Sequence, residues 1–335
     1  MGKVWLGIPT TWVLSGVITG VMGASGWAAP AYLDPAQDPQ FTPPSPPAVA
    51  GSQTFELASS GQRSSGEAWT RILATYRFAP EAEGQQPWWL ALGHEWYETW
   101  GSTATQASLT PIQVGTSFQF DDLRGSVVAG WDFRAQPGSR FFFQGQVGIP
   151  LTAEFTPELS VGCRTHRAKA SSIADGIYAC RLGLNLFYPW SEQWSSFVGY
   201  RYGSYSDDNH EHQIIGSLTY ATESFSLGGN LFSWSYGRDT PAYFSPPDFL
   251  VLMVAASVTA ALAPDLACTL ALSLGQQRLT SQWSDANTYE GRCDWQLDDQ
   301  VELASSLKFS NVQNNNPTGD PYNSAEWGVT LRWLF

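Results

Sequence analysis

The last eleven residues read Ala325-Glu326-Trp327-Gly328-Val329-Thr330-Leu331-Arg332-Trp333-Leu334-Phe335. Odd positions carry Ala, Trp, Val, Leu, Trp and Phe. Even positions carry Glu, Gly, Thr and Arg before Leu334. A period of two is the signature of a strand with one apolar and one polar face. Eleven residues is long for a strand in a soluble sandwich and suits a strand that crosses a bilayer at a tilt.

The same alternation recurs upstream. Leu266, Cys268, Leu270, Leu272 and Leu274 oppose Ala267, Thr269, Ala271, Ser273 and Gly275. Ile112, Val114, Thr116, Phe118 and Phe120 oppose Gln113, Gly115, Ser117 and Gln119. About 16 such segments fit between residues 53 and 335, which predicts an all-β fold, a transmembrane antiparallel barrel. No run approaches the 18 apolar residues a spanning helix needs; 250–262 comes nearest. The connections alternate in length. Tight turns are expected at 121–122, 222–224, 263–265 and 298–300, and longer loops at 101–106, 206–210, 239–248, 280–286 and 314–322. Short inner turns and long outer loops are the barrel pattern.

Composition agrees. Of 335 residues only 14% are charged, and 14% are aromatic, with 16 Trp, 13 Tyr and 18 Phe. Mean hydropathy is −0.19, so apolar and polar residues are interleaved rather than segregated. This aromatic content excludes disorder across the body. The net charge of −13 argues against a nucleic-acid partner, because no basic surplus is available to neutralise phosphates.

The N-terminus reads as a targeting segment. Lys3, the apolar run 12–22 and the small residues around Ala28, Ala29 and Ala31 predict a signal peptide over 1–31. Seven prolines between Pro30 and Pro47 predict an extended periplasmic linker over 32–52. The barrel is then 53–335. The terminal strand ending in Phe335 resembles the assembly signal of bacterial outer-membrane proteins. That likeness implies outer-membrane lipid and the barrel-assembly machinery as partners.

A local resemblance sits in residues 234–250, which contain Tyr243-Phe244-Ser245-Pro246 followed by Phe249-Leu250. This stretch resembles the C-terminal outer-membrane barrel of the cellulose synthase operon protein C family. The resemblance implies a 16-stranded exit channel for a linear, neutral polysaccharide made by an inner-membrane synthase. The chain departs from that family in lacking its 34-residue helical repeats, so a separate periplasmic scaffold protein is expected. Pro241 and Ala242 also stand where the family often has a glycine pair. A general diffusion porin and a structural surface barrel are the alternatives.

The lumen is where chemistry is expected. By parity Trp89, Tyr97, Phe142, Phe197 and Tyr205 face inward, and aromatic faces suit sugar rings. Arg134, Arg201 and Glu326 are charged candidates for polymer contact, or for ion-pair ladders that hold the wall. Tyr243 and Phe244 are expected either to constrict the pore or to cap the loop against the wall. His210 and His212 lie near Asp207 and Asp208, but a solvated loop is the plainer reading, and no metal or cofactor is expected. No nucleophile elbow, phosphate loop or zincin motif occurs, so no enzyme is expected. Export to an oxidising compartment permits disulfides. Cys163 pairs with Cys180 if the turn centres on 171–172. Cys268 and Cys293 pair less readily, because their midpoint misses that of the 280–286 loop.

Overall fold

The structure, a computed structural model, describes residues 53–63, 67–78, 88–101, 105–120, 123–134, 138–152, 155–167, 170–312 and 324–335. The expected signal peptide and linker lie outside these residues. Sixteen strands run in order. They are β1 (Gln53–Arg63), β2 (Glu67–Phe78), β3 (Trp88–Gly101), β4 (Thr105–Phe120), β5 (Leu123–Phe133), β6 (Arg140–Gly148), β7 (Glu158–Thr165) and β8 (Tyr178–Pro189). Then come β9 (Trp194–Tyr205), β10 (His210–Ala221), β11 (Phe225–Tyr236), β12 (Phe249–Ala263), β13 (Leu266–Leu279), β14 (Gln282–Gln296), β15 (Val301–Ser310) and β16 (Ser324–Leu334). Each strand pairs antiparallel with its neighbours in sequence, and β1 closes on β16. Closure leaves no unpaired edge, which is what allows a sheet to cross hydrocarbon.

Parity decides what each face meets. Leu90, Leu92, Val114, Val127, Leu218, Val254, Leu270 and Leu274 point outward and form an apolar band. Near the end that carries both termini, Trp88, Trp194, Trp295 and Trp333 ring the outside. Towards the opposite, loop-bearing end, Trp131, Tyr200, Tyr202 and Trp327 do the same. Two aromatic belts flanking an apolar band mark the two membrane interfaces.

Cys163 lies directly opposite Cys180, and Cys268 opposite Cys293, and both pairs are disulfide-bonded with Cα atoms 4.0 and 4.1 Å apart. The second bond corrects the expected 280–286 loop. β13 and β14 are joined by two residues, Thr280 and Ser281, both at positive φ (48° and 70°). That is the backbone of a tight hairpin turn. Such turns usually advertise themselves with Asn or Gly, and here neither is present. The first bond corrects the simple turn expected at 171–172. Those residues belong to a short helix, α1 (Ala170–Ala174), within a longer connection.

Candidate functional site

The interior holds the site. Arginines project inward from β2 (Arg71, Arg77), β7 (Arg164), β8 (Arg181) and β9 (Arg201), and carboxylates from β3 (Glu95), β5 (Asp132) and β10 (Glu211). Arg181 and Glu211 pair across the intervening β9. Gly203 of β9 is the register partner of both. A Cβ there would lie 2.5 Å from Glu211 Oε1, so the missing side chain gives the ion pair its path. Tyr205 and Trp234 complete this unit: Arg181 donates to the Tyr205 hydroxyl at 2.5 Å, and Trp234 Nε1 to Glu211 at 3.0 Å.

Two connections at the loop end fold into the lumen. The one after β7 sends Arg167 to both Glu95 and Asp132, 2.7 Å from the latter. Arg71 reaches the same Glu95 at 3.1 Å, and the Tyr97 hydroxyl donates to it at 2.7 Å. Helix α1 then lays Ala170 and Ile173 on Tyr97 and Ala107. Arg134 donates to the Ile173 carbonyl at 3.2 Å and to the Gly138 carbonyl at 3.1 Å.

The second connection, 237–248, places the Tyr243 ring on Tyr205, with centroids 5.0 Å apart and planes 14° from parallel. The Tyr243 hydroxyl accepts from Asn209 Nδ2 at 3.0 Å and donates to Asp207 at 3.2 Å. Phe244 packs on Phe249 and Trp234. Ser245 Oγ accepts the Thr240 N–H at 2.8 Å, and the Pro246 carbonyl accepts the Tyr236 N–H at 2.9 Å. The two connections touch: Ser171 Oγ donates to the Ala242 carbonyl at 3.1 Å, and the His166 ring lies 4.8 Å from that of Tyr243. Burial in this contact, beside the Arg181 guanidinium, pushes the His166 imidazole down to about 3.

The result is a cup. Along the inner face of β12, Phe249, Val251 and Met253 are sealed, whereas Thr259 and Ala261 near the other end are exposed. Along β14, Ala286 and Thr288 are sealed, and Arg292 is exposed. Among the described residues, inward side chains towards the loop end are sealed and those towards the terminal end line an open vestibule. The ion pair Arg332–Glu302 (2.9 Å) stiffens the vestibule wall, and Lys308–Glu326 (3.3 Å) ties the same two strands near the loop end.

The expected site residues fall into this frame with one correction. Trp89, Tyr97, Phe142 and Tyr205 do face the lumen but present no open aromatic track. All four are buried, and a guanidinium covers each ring: Arg77 on Trp89 at 4.7 Å, Arg71 on Tyr97 at 5.7 Å, Arg164 on Phe142 at 4.8 Å and Arg181 on Tyr205 at 5.5 Å. Cation–π attraction makes an arginine the natural cover for an inward aromatic. Phe197 alone of the five stays half-buried, and its cross-strand partner is Phe187, which parity from Arg181 could have found. Arg134 pins the α1 connection, Arg201 donates to Gln213 at 3.1 Å, and Glu326 serves Lys308. Tyr243 and Phe244 fold inward onto the wall. His210 and His212 stand outside the lumen beside Tyr200 and Tyr202. Arg167 carried no sequence signal, because it lies just past the point where the β7 alternation stops.

No family model matches the chain, and no curated protein matches it. Solved structures share the barrel. A bacterial polysaccharide outer membrane secretin superposes with a TM-score of 0.68 at 10% identity, over 86% of this chain and 99% of that one. Pseudomonas aeruginosa OccK7 (OpdD) superposes with a TM-score of 0.50 at 6% identity, over 85% of this chain and 98% of that one. At these identities the likeness speaks to the fold. Together with the outer apolar band, the aromatic belts and the charged interior, it makes this chain a bacterial outer-membrane β-barrel.

Proposed function

We propose that this barrel is an exit conduit for a linear polysaccharide, resting with its loop end shut. The polymer would enter the vestibule at the terminal end and leave when the two inward connections swing aside. One observation carries the reading. The whole barrel superposes on nearly all of a polysaccharide outer-membrane protein, and does so more closely than on P. aeruginosa OccK7 at similar coverage. The stretch Tyr243-Phe244-Ser245-Pro246, which resembles the cellulose exit barrel, supports it, since it forms one of the two closing connections. The half-buried Phe187–Phe197 pair offers aromatic surface below the closed zone, where a sugar ring can stack.

The test is planar-bilayer conductance of the purified barrel with soluble oligosaccharides added. Small conductance that oligosaccharides reduce further is expected, and a Phe187→Ala/Phe197→Ala double variant should weaken the block severalfold. Large conductance indifferent to oligosaccharides would instead support a general diffusion porin.

A further inference from the structure

The Arg167 contact contains more positive charge than it uses. Arg71, Arg164 and Arg167 converge on only two carboxylates, Glu95 and Asp132. Arg134 stands two residues after Asp132 and spends its other nitrogens on backbone carbonyls. Arg164 is the loosest member, 4.0 Å from Asp132 and lying over the Phe142 ring. Among the described residues, Nε of Arg71, Arg164 and Arg167 and one terminal nitrogen of Arg134 are buried with no acceptor, against a single buried carboxylate oxygen of the cluster, Asp132 Oδ2, with no donor. A buried N–H left without an acceptor is destabilising, and more so on a charged group. Three such nitrogens on guanidinium groups that share two carboxylates, with a cationic surplus, form the donor set of an anion site. Forked guanidinium groups match the planar, two-oxygen geometry of a carboxylate.

We propose that this arginine cluster binds a carboxylate group borne by the transported glycan. The inference rests on the polysaccharide reading and sharpens it: the polymer is acidic, with uronic-acid-type residues, rather than the neutral chain that the family resemblance implies. A carboxylate entering between Arg164 and Arg167 supplies the acceptors these groups lack. It also competes with Glu95 and Asp132 for Arg167, the residue that holds the α1 connection down. Occupation of the site by substrate thereby loosens the closure.

The experiment compares galacturonate oligomers with neutral cello-oligosaccharides of equal length as blockers of the reconstituted full barrel. Galacturonate oligomers should block at least tenfold more tightly. Arg164→Gln should abolish that preference, and Arg164→Lys should restore part of it. Heat-modifiable migration on gels reports that each variant is folded. Equal block by both oligomers, or a preference that survives Arg164→Gln, overturns the site. If neither oligomer blocks, the conduit reading fails separately, and calorimetric titration with monomeric galacturonate then decides. Binding that disappears in Arg164→Gln keeps a carboxylate site for small solutes. No binding overturns it.

Discussion

Tyr243 lies flat on Tyr205, a ring from the β11–β12 connection on a ring from the strand wall. Both are buried, and Tyr236 and His166 meet Tyr243 edge-on or tilted around the stack. The contact therefore ties a mobile kind of element, a loop, to a rigid one. Truncating a buried aromatic costs about 3–5 kcal/mol. Tyr243→Ala should undock the connection and raise the mean single-channel conductance at least severalfold, with the barrel still heat-modifiable. Tyr243→Phe keeps the stack and loses only the Asn209 and Asp207 bonds, so its effect should be small. Equal conductance in wild type and Tyr243→Ala would show that the loop does not close the lumen.

Arg167 holds the other connection. Removing one partner from a buried ion pair costs about 3–5 kcal/mol, because the remaining charge stays buried. Arg167→Ala leaves Glu95 with Arg71 and Asp132 with only the distant Arg164. The connection should lift, and conductance should rise. Neutralising the stranded charges in an Arg167→Ala/Glu95→Gln/Asp132→Asn variant should recover thermal stability but not closure. Both are read on the same preparations, by heat-modifiability midpoint and by bilayer recording.

These two contacts mark where the sequence stopped being legible. Strand existence and facing followed from parity, since a polar lumen and a lipid exterior leave only one register per strand. Cys163 and Cys180 could be paired on that basis. Cys268 and Cys293 were harder, because a tight turn built on Thr280 and Ser281 lacks the Asn-Gly signal that would have shortened the expected loop. The connections after β7 and β11 have no period at all. Their inward folding depends on complementary groups far away in sequence: Glu95 and Asp132 for Arg167, Tyr205 for Tyr243. Inward aromatics were visible, but the arginines that cover them lie on neighbouring strands, and local spacing says nothing about that.

Gly203 gives a test of the wall itself. Gly203→Val would place a branched side chain between Arg181 and Glu211, whose carboxylate already sits where the Cβ would be. Overpacking of this kind costs about 1–3 kcal/mol. The heat-modifiability midpoint should fall clearly. Gly216→Val is the matched control, since a Cβ there would meet nothing closer than 3.9 Å. Equal midpoints for the two variants would remove the role assigned to Gly203.

His166 makes the closure sensitive to acid. The docked imidazole is held neutral, down to about 3, by burial and by Arg181, with Glu211 opposing and Tyr205 and Tyr243 packed on the ring. Undocked, it titrates near its ordinary value of about 6.5. Docking is therefore at full strength above that value. It weakens as pH falls, by roughly 1.4 kcal/mol per pH unit, until the docked group itself protonates. Open probability should rise between pH 8 and pH 5 in wild type and stay nearly flat in His166→Phe. A parallel rise in both proteins would assign the effect to carboxylates instead.

Phe335 closes the ring. Its backbone N–H donates to the Gln53 carbonyl at 2.9 Å, so the last residue hydrogen-bonds the first residue of β1. Its side chain stacks on Trp333, with centroids 4.8 Å apart, on the outward face at the terminal-end belt. Deleting Phe335 removes one rung from the β1–β16 seam and one aromatic from the interface. The seam joins the first strand to the last, and a barrel that cannot close there leaves unpaired edges in lipid. The deletion should cut the amount of heat-modifiable barrel in the outer membrane severalfold, whereas Phe335→Tyr, which retains an aromatic ring and the backbone bond, should assemble normally. Wild-type levels of folded barrel after the deletion would mean that closure does not depend on this residue.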